Sequence, residues 1–424
     1  MILMSFFNFS RINQKKYYII QKLNIFMPYS SIKHKNEISL FGTNKIKLSH
    51  IDIELTERCN NNCVHCYINQ SEDDLQCKSR EMDSASIKAI LRQAADLGCL
   101  SVRFTGGEPL LREDFEELYI FARRLGMRVV LFTNATLITK NLCALFERIP
   151  PGKPISVSVY GMHAKSYDAV VARRGAYDEF WHGINLLKEH EIPFKVKQSL
   201  LPQNKDEIDD FEAFAKQLPA MEHAPPYSMN FDLRARRDNP AKNRTINRLR
   251  LSPEETVAML TREPKKYIHK MRQFASEFMG PNGDRVFSCG AGLGTTCVDA
   301  YGNAQMCMLL RHPETVYPLD PQIHRKKHPE TDLSPLEYAL KVFFPEVRQL
   351  RSHNPAYLKR CALCFLQGLC EQCPAKSWEE HGTLDTPVDY LCQIAHAKAR
   401  FLGLLRRGEK AWLLPETTWQ ERLK

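Results

Sequence analysis

No stretch of the 424-residue sequence reaches the roughly 20 consecutive apolar residues that span a bilayer, so no membrane-spanning helix is expected. A secretory signal is missing too: the opening MILMSFFNF lacks the basic-then-apolar order and the small-residue cleavage site. No block of one charge sign stands out. Lys and Arg number 59 against 49 Asp and Glu, and the excess is dispersed, which argues against a nucleic-acid surface while permitting an acidic partner. A cytoplasmic protein with no membrane and no nucleic-acid partner is expected.

What is abundant is cysteine. Fourteen in a large chain without an export signal do not read as a disulfide framework, because eleven fall into short local spacings that suit metal ligation. These are Cys59, Cys63 and Cys66; Cys289, Cys297 and Cys307; and Cys361, Cys364, Cys370, Cys373 and Cys392. Cys77, Cys99 and Cys143 stand apart as ordinary small buried residues.

From residue 51 a strand and helix rhythm begins. Strand-like runs at 51–56, 100–105, 128–133, 155–160, 194–200 and 228–234 alternate with helical periodicity at 84–97, 113–125, 178–190 and 206–217. Six such units predict an α/β fold on a parallel sheet, a partial barrel or an open layered fold, with ligands at the C-terminal ends of the strands. Residues 1–47 form an extension with a short hairpin expected in ISLFGTNKIKL, and 48–245 form the sheet domain. A helical linker covers 246–284, its helix beginning at Ser252, Pro253 and Glu255 in a capping box and running to about residue 278. A metal-supported module covers 285–400, and 401–424 form a tail.

The segment ELTERCNNNCVHCY sets Cys59, Cys63 and Cys66 directly after the first strand. Three thiolates hold three corners of a four-iron cubane and leave one iron open, whereas clusters that only carry electrons normally have four protein ligands. A Cys3His zinc site using His65 is the competing reading. The second strand ends in FTGGEPL, where Gly106 and Gly107 let a ligand approach the backbone and Glu108 offers a carboxylate to an ammonium group.

With these motifs the chain resembles the radical S-adenosylmethionine (SAM) superfamily, whose CxxxCxxC is met by Cys59, Cys63 and Cys66 with Tyr67 following. The resemblance implies a partial (β/α)6 TIM-like barrel, an open iron chelated by the methionine moiety of SAM, and reductive cleavage to a 5'-deoxyadenosyl radical. It further implies that Glu108 contacts the methionine amino group and that Thr133, Asn134 and Ser158 lie near its carboxylate and ribose. Ala135 stands where glycine is commoner. On the residues alone, Thr133, Asn134 and Ser158 read equally as turn or capping residues. Lys195, Lys197 and Gln198 face either a barrel interior or a solvated surface, Asn204 and Glu207 form a strand exit or a helix cap, and Asp232, Arg234 and Arg236 form a polar set or an ion-pair network.

CALCFLQGLCEQC is strong evidence for metal, zinc or iron-sulfur by ligand type. Two closed cubanes would use all eight later cysteines. The arrangement resembles the SPASM extension of radical SAM enzymes, which implies one auxiliary cluster on Cys289, Cys297, Cys307 and Cys373 and another on Cys361, Cys364, Cys370 and Cys392, three [4Fe-4S] clusters in all. The spacing from Cys370 to Cys373 is one residue shorter than the commonest form, which leaves the partition open.

Proteins resembling this one modify peptides or proteins, so a peptide maturase that oxidatively crosslinks or remodels a side chain is expected. It would need a reducing donor such as flavodoxin or ferredoxin and, the extension being short, a separate leader-peptide-binding partner. The alternative is a sulfatase-type maturase forming formylglycine. Those commonly carry an Asp where Met308 stands, although Asp299 or another carboxylate could serve as base. A non-catalytic electron-transfer protein is the reading from a different class. His163, His182 and His190 form no metal spacing.

Overall fold

The computed structural model describes residues 48–221, 233 and 239–423. The expected hairpin in the extension, most of the run 228–234 and the set Asp232, Arg234 and Arg236 lie outside these residues.

Five strands follow the expected rhythm: β1 (His50–Thr56), β2 (Ser101–Gly106), β3 (Arg128–Thr133), β4 (Ile155–Val159) and β5 (Phe194–Gln198). They pair in sequence order and in parallel. Their alternation decides which face meets the core. Ile51, Ile53, Leu55, Val102, Phe104, Val129, Leu131, Val157 and Val196 are buried toward the helices. The intervening positions Asp52, Glu54, Arg103, Phe132, Ser156, Ser158, Lys195 and Lys197 share the opposite, concave face.

Helices α1 (Ser84–Asp96), α2 (Phe115–Arg124), α3 (Lys140–Arg148), α4 (Ala164–Val171), α5 (Ala176–Glu189) and α6 (Ile208–Lys216) bury one apolar stripe each, as in α1 with Ile87, Ile90, Leu91 and Ala94. Asp83 caps α1 by accepting from the Ser86 amide at 2.7 Å, and Thr139 caps α3.

Two expectations change. The helix expected from 252 to 278 is two, α7 (Pro253–Leu260) and α8 (Pro264–Phe278). The Ser252 and Glu255 capping box forms, but Pro264 cannot donate to the preceding turn and so starts a new helix. The cysteine-rich module, expected as a separate unit, instead extends the main sheet. Strands β6 (Thr295–Val298), β7 (Asn303–Gln305) and β8 (Val316–Pro318) give a mixed eight-stranded sheet of order β8-β7-β6-β1-β2-β3-β4-β5. β6 pairs in parallel with the free edge of β1, setting Asp52 against Cys297. The result is an α/β fold resembling a partial barrel, continuous with a cysteine-rich C-terminal region.

Candidate functional site

The loop after β1 carries the first three cysteines and is fastened from several sides. The Asn62 and Val64 amides donate to the Val171 and Val170 carbonyls at the end of α4, at 3.0 and 2.9 Å. Arg173 Nε donates to Asn61 Oδ1 at 3.0 Å and Lys242 Nζ to the Cys63 carbonyl at 2.7 Å. Buried Arg58 pairs with Glu81 at 2.8 Å. Cys59, Cys63 and Cys66 are thereby brought together. Burial, then the neighbouring thiols, pushes Cys59 well up and Cys63 to about 12, while the Tyr160 hydroxyl donating to Cys63 partly offsets this. Three thiols, Cys63 buried and Cys59 and Cys66 half-buried, are a donor set that suits a positively charged iron core. His65, the zinc alternative's fourth ligand, is buried against the Tyr160 ring at 5.8 Å, and burial lowers it to about 4.

Gly106 and Gly107 are also required by the chain's own packing. A Cβ at Gly106 would lie 2.0 Å from the Thr56 carbonyl oxygen, and one at Gly107 2.2 Å from that of Arg58. The space that glycine frees is filled by the chain's own backbone, which draws the end of β2 onto the cysteine loop. Gly106 also adopts φ +131°, which L side chains rarely take.

Glu108 follows, fully buried. Its carboxylate accepts from the Leu110 amide (3.1 Å), the Thr133 hydroxyl (2.9 Å) and the Asn134 amide (2.7 Å). Burial nevertheless raises it to about 7, since these donors are neutral. Asn134 passes the connection on, with Nδ2 2.9 Å from Asn60 Oδ1 and 3.8 Å from Cys59 Sγ. The ends of β1, β2 and β3 therefore meet in one network that includes Cys59, Glu108, Thr133 and Asn134. Ala135 sits at φ 66° in the left-handed region, the physical reason glycine suits that position. Ser158 lies further along the sheet, half-buried and in register with Lys197. Tyr67 is half-buried within the field of Arg311.

Several supporting residues escaped the sequence reading. Arg311 reaches Glu57 and Glu54, each at 2.5 Å, and burial raises Glu54 to about 7 despite that pair. Asn204 and Glu207 occupy helix N-cap positions at the strand exit without capping through their side chains. Asn204 Nδ2 donates to the Tyr160 carbonyl at 2.9 Å, and Glu207 accepts from the Met162 amide at 2.6 Å, tying together the loops after β4 and β5. Asp299 is engaged by the Tyr301 and Asn303 amides at 3.0 and 2.9 Å, closing the turn between β6 and β7. Met308 Sδ lies 3.9 Å from Arg103 Nη1.

The later cysteines gather in two places. Cys307 is pushed up to about 12 by burial and by Cys289 and Cys373 beside it, and fully buried Cys297 on β6 also feels Cys307. Cys364 is raised by burial and by Cys370, Cys392 and Cys361. A cavity is lined by Cys361, Cys364, Cys370, Cys373 and Cys392, so Cys373 borders both groups. Among the described residues no three His, Cys, Asp or Glu side chains converge as ligands of a single ion. Thiolates that each bind a different iron of a cluster need no such convergence.

Residues 53–218 match the Radical SAM superfamily. The AdoMet-dependent heme synthase of Methanosarcina barkeri is 32% identical over 168 residues, 40% of this chain and 47% of that protein. The antilisterial bacteriocin subtilosin biosynthesis protein AlbA of Bacillus subtilis is 25% identical over 278 residues, 65% of this chain and 58% of AlbA. The chain thus spans about half the length of the curated relatives it matches. In fold it is similar to Streptococcus suis SuiB bound to S-adenosylmethionine, with a TM-score of 0.57 at 19% identity over 91% of this chain and 88% of SuiB.

Proposed function

We propose, from the match of residues 53–218 to the Radical SAM superfamily, that this chain is a radical SAM enzyme acting on a peptide or protein side chain, leaving an oxidative crosslink or related modification in peptide maturation. The observation that carries this reading is the single network at the strand ends joining Cys59 to Asn134, Glu108 and Thr133. When bound, a reduced [4Fe-4S] cluster with SAM supplies a 5'-deoxyadenosyl radical able to take hydrogen from carbon.

The chain's own part is to hold and orient. Cys59, Cys63 and Cys66 would hold the cluster. Glu108 has an unused lone pair on the oxygen facing Asn134 and would accept from the SAM ammonium, with Gly106 and Gly107 setting its position. Thr133, Asn134, Ser158 and Tyr67 would complete the surroundings of SAM. Cys289, Cys297, Cys307 and Cys373 would hold one auxiliary cluster, and Cys361, Cys364, Cys370 and Cys392 the other. The grouping of their mutual fields supports that partition. In this reading 48–245 is a six-unit partial barrel, 246–284 a linker and 285–400 a SPASM domain.

AlbA's role in biosynthesis of the bacteriocin subtilosin and a further SuiB structure bound to precursor peptide SuiA favour a peptide substrate. A flavodoxin- or ferredoxin-type donor, a separate leader-binding protein and a cytoplasmic setting belong to the same proposal. No helix among the described residues is long and apolar enough to cross a membrane. The formylglycine alternative is weakened by Met308 and by the engagement of Asp299 in its turn.

The test is anaerobic reconstitution with iron and sulfide, reduction, and quantification of 5'-deoxyadenosine. Its formation supports the reading. A fully reconstituted chain that yields none, with or without candidate peptide, and that only shuttles electrons, replaces it with the electron-transfer alternative.

A further inference from the structure

The concave face of the sheet is unusually rich in cations. Arg103 on β2 and Lys195 and Lys197 on β5 point into it, and Lys153, just before β4, and Arg128, at the start of β3, lie at its rim. Deeper in, the Phe132 ring has Lys197 Nζ 3.5 Å and the Arg103 guanidinium 4.4 Å from its centroid. Asp52 is shared between Arg103 at 2.9 Å and His50 at 2.8 Å.

Lys153 and Lys195 differ from the others in their company. Among the described residues neither has a carboxylate partner. The charges felt by Lys153 are those of Arg128, Lys195 and Arg103, and the charge felt by Lys195 is that of Arg103. Both side chains reach solvent, yet burial of the ammonium between the walls, then these like charges, holds each below the usual lysine range. Such an arrangement costs free energy in the absence of an anion and is relieved by one.

Spacing narrows the kind of anion. Lys195 and Lys197 are two residues apart on one strand face, about 6.6 Å. That is the repeat of same-side side chains in an extended peptide, and Lys197 stands in register with Ser158 near the candidate SAM site.

Resting on the proposed reading of this chain as a peptide-modifying enzyme, we infer that the concave cationic face is a specificity site for an acidic peptide substrate, one that enters extended and carries Asp or Glu at alternate positions. Lys153 and Lys195 receive carboxylates at the rim, and Arg103 and Lys197 receive the next one inward.

The test uses the full reconstituted chain and a fluorescein-labelled hexapeptide alternating Glu and Gly, compared by anisotropy with the same peptide carrying Gln for Glu. The Glu peptide is expected to bind at least tenfold more tightly at low salt, and to lose that advantage in the double variant Lys153→Gln/Lys195→Gln. The surface double variant Lys326→Gln/Lys327→Gln should keep it. Peptide-independent formation of 5'-deoxyadenosine should be unchanged in both variants, which separates this inference from the reading it rests on. Equal binding of the two peptides, an equal loss in the surface variant, or stronger binding of a six-residue oligothymidylate than of the Glu peptide overturns the inference. Absence of 5'-deoxyadenosine in the parent chain overturns the underlying reading instead.

Discussion

The first cysteine loop and the cavity near the C-terminus hold the same kind of donor in different company. Cys59, Cys63 and Cys66 sit at the strand ends with Glu108 beside them, its carboxylate spanning β2 and β3. Around Cys361, Cys364, Cys370 and Cys392, Arg360 favours the Cys392 thiolate, and its ion-pair partner Asp389, 2.8 Å away, opposes it. Three thiols next to a buried acid suit a centre that takes a cationic ligand, whereas four thiols next to a guanidinium suit one that is closed and carries charge. The difference between the two sites lies in what stands beside the cysteines: a buried carboxylate held by neutral donors in one, and a guanidinium paired with Asp389 in the other.

The comparison breaks most sharply if the three N-terminal cysteines are removed together. The triple variant Cys59→Ala/Cys63→Ala/Cys66→Ala should abolish 5'-deoxyadenosine formation while retaining about eight of twelve irons by ligand count. Loss of all iron in this variant would show that the two sites are not separable.

Next in size is Glu108→Gln, which keeps the shape but removes the charge and one acceptor. SAM cleavage should fall at least tenfold, with SAM affinity weakened and iron content retained. The same variant tests a pH effect. Glu108 is raised from 4.5 to about 7 in the folded chain. Its contribution to stability is therefore fully present below pH 4.5 and is lost as pH rises through about 7. Denaturant unfolding without SAM should show the parent losing about 2–3 kcal/mol more than Glu108→Gln between pH 5 and 8. Parallel profiles would contradict the assignment.

Tyr160→Phe removes the hydroxyl that donates to Cys63. A hydrogen bond of about 1 kcal/mol corresponds to roughly 40 mV in a one-electron couple. The N-terminal cluster's midpoint should drop by about that amount in an EPR-monitored titration, with the C-terminal signals unmoved. A shift shared by all the clusters would mean a general change of packing.

The smallest effect is expected at Ala135, whose φ of 66° is strained for an L residue. Ala135→Gly should gain up to about 1 kcal/mol in thermal unfolding, because relief of strain exceeds the added freedom of the unfolded chain. A loss would mean that the buried methyl group matters more than the backbone.

The parallel strands were legible because they are β-branched and aromatic runs of five to seven positions, alternating as in β4 or continuously apolar as in β3, patterns that survive without knowledge of the partner strand. β6, β7 and β8 were not, being three or four residues long and set among cysteines and glycines that break the alternation. The ligand-type residues were legible through spacing. Their supports were hidden by distance along the chain: Arg311 meets Glu54 across 257 positions, and no local pattern announces it. The packing need of the glycine pair is hidden too, since a sequence shows that side chains are absent but not which atoms take their place.

The parallel pairing of β1 with β6 also sets an order of events during synthesis. Ile51 cannot meet Thr296 until some 245 further residues have been made, so one edge of the sheet stays open through most of translation. An uncovered strand edge invites pairing with other chains. Release of the nascent chain before the cysteine-rich region emerges would thus leave the first five strands adhesive as well as incomplete, and a part made late is also the part that closes the first strand.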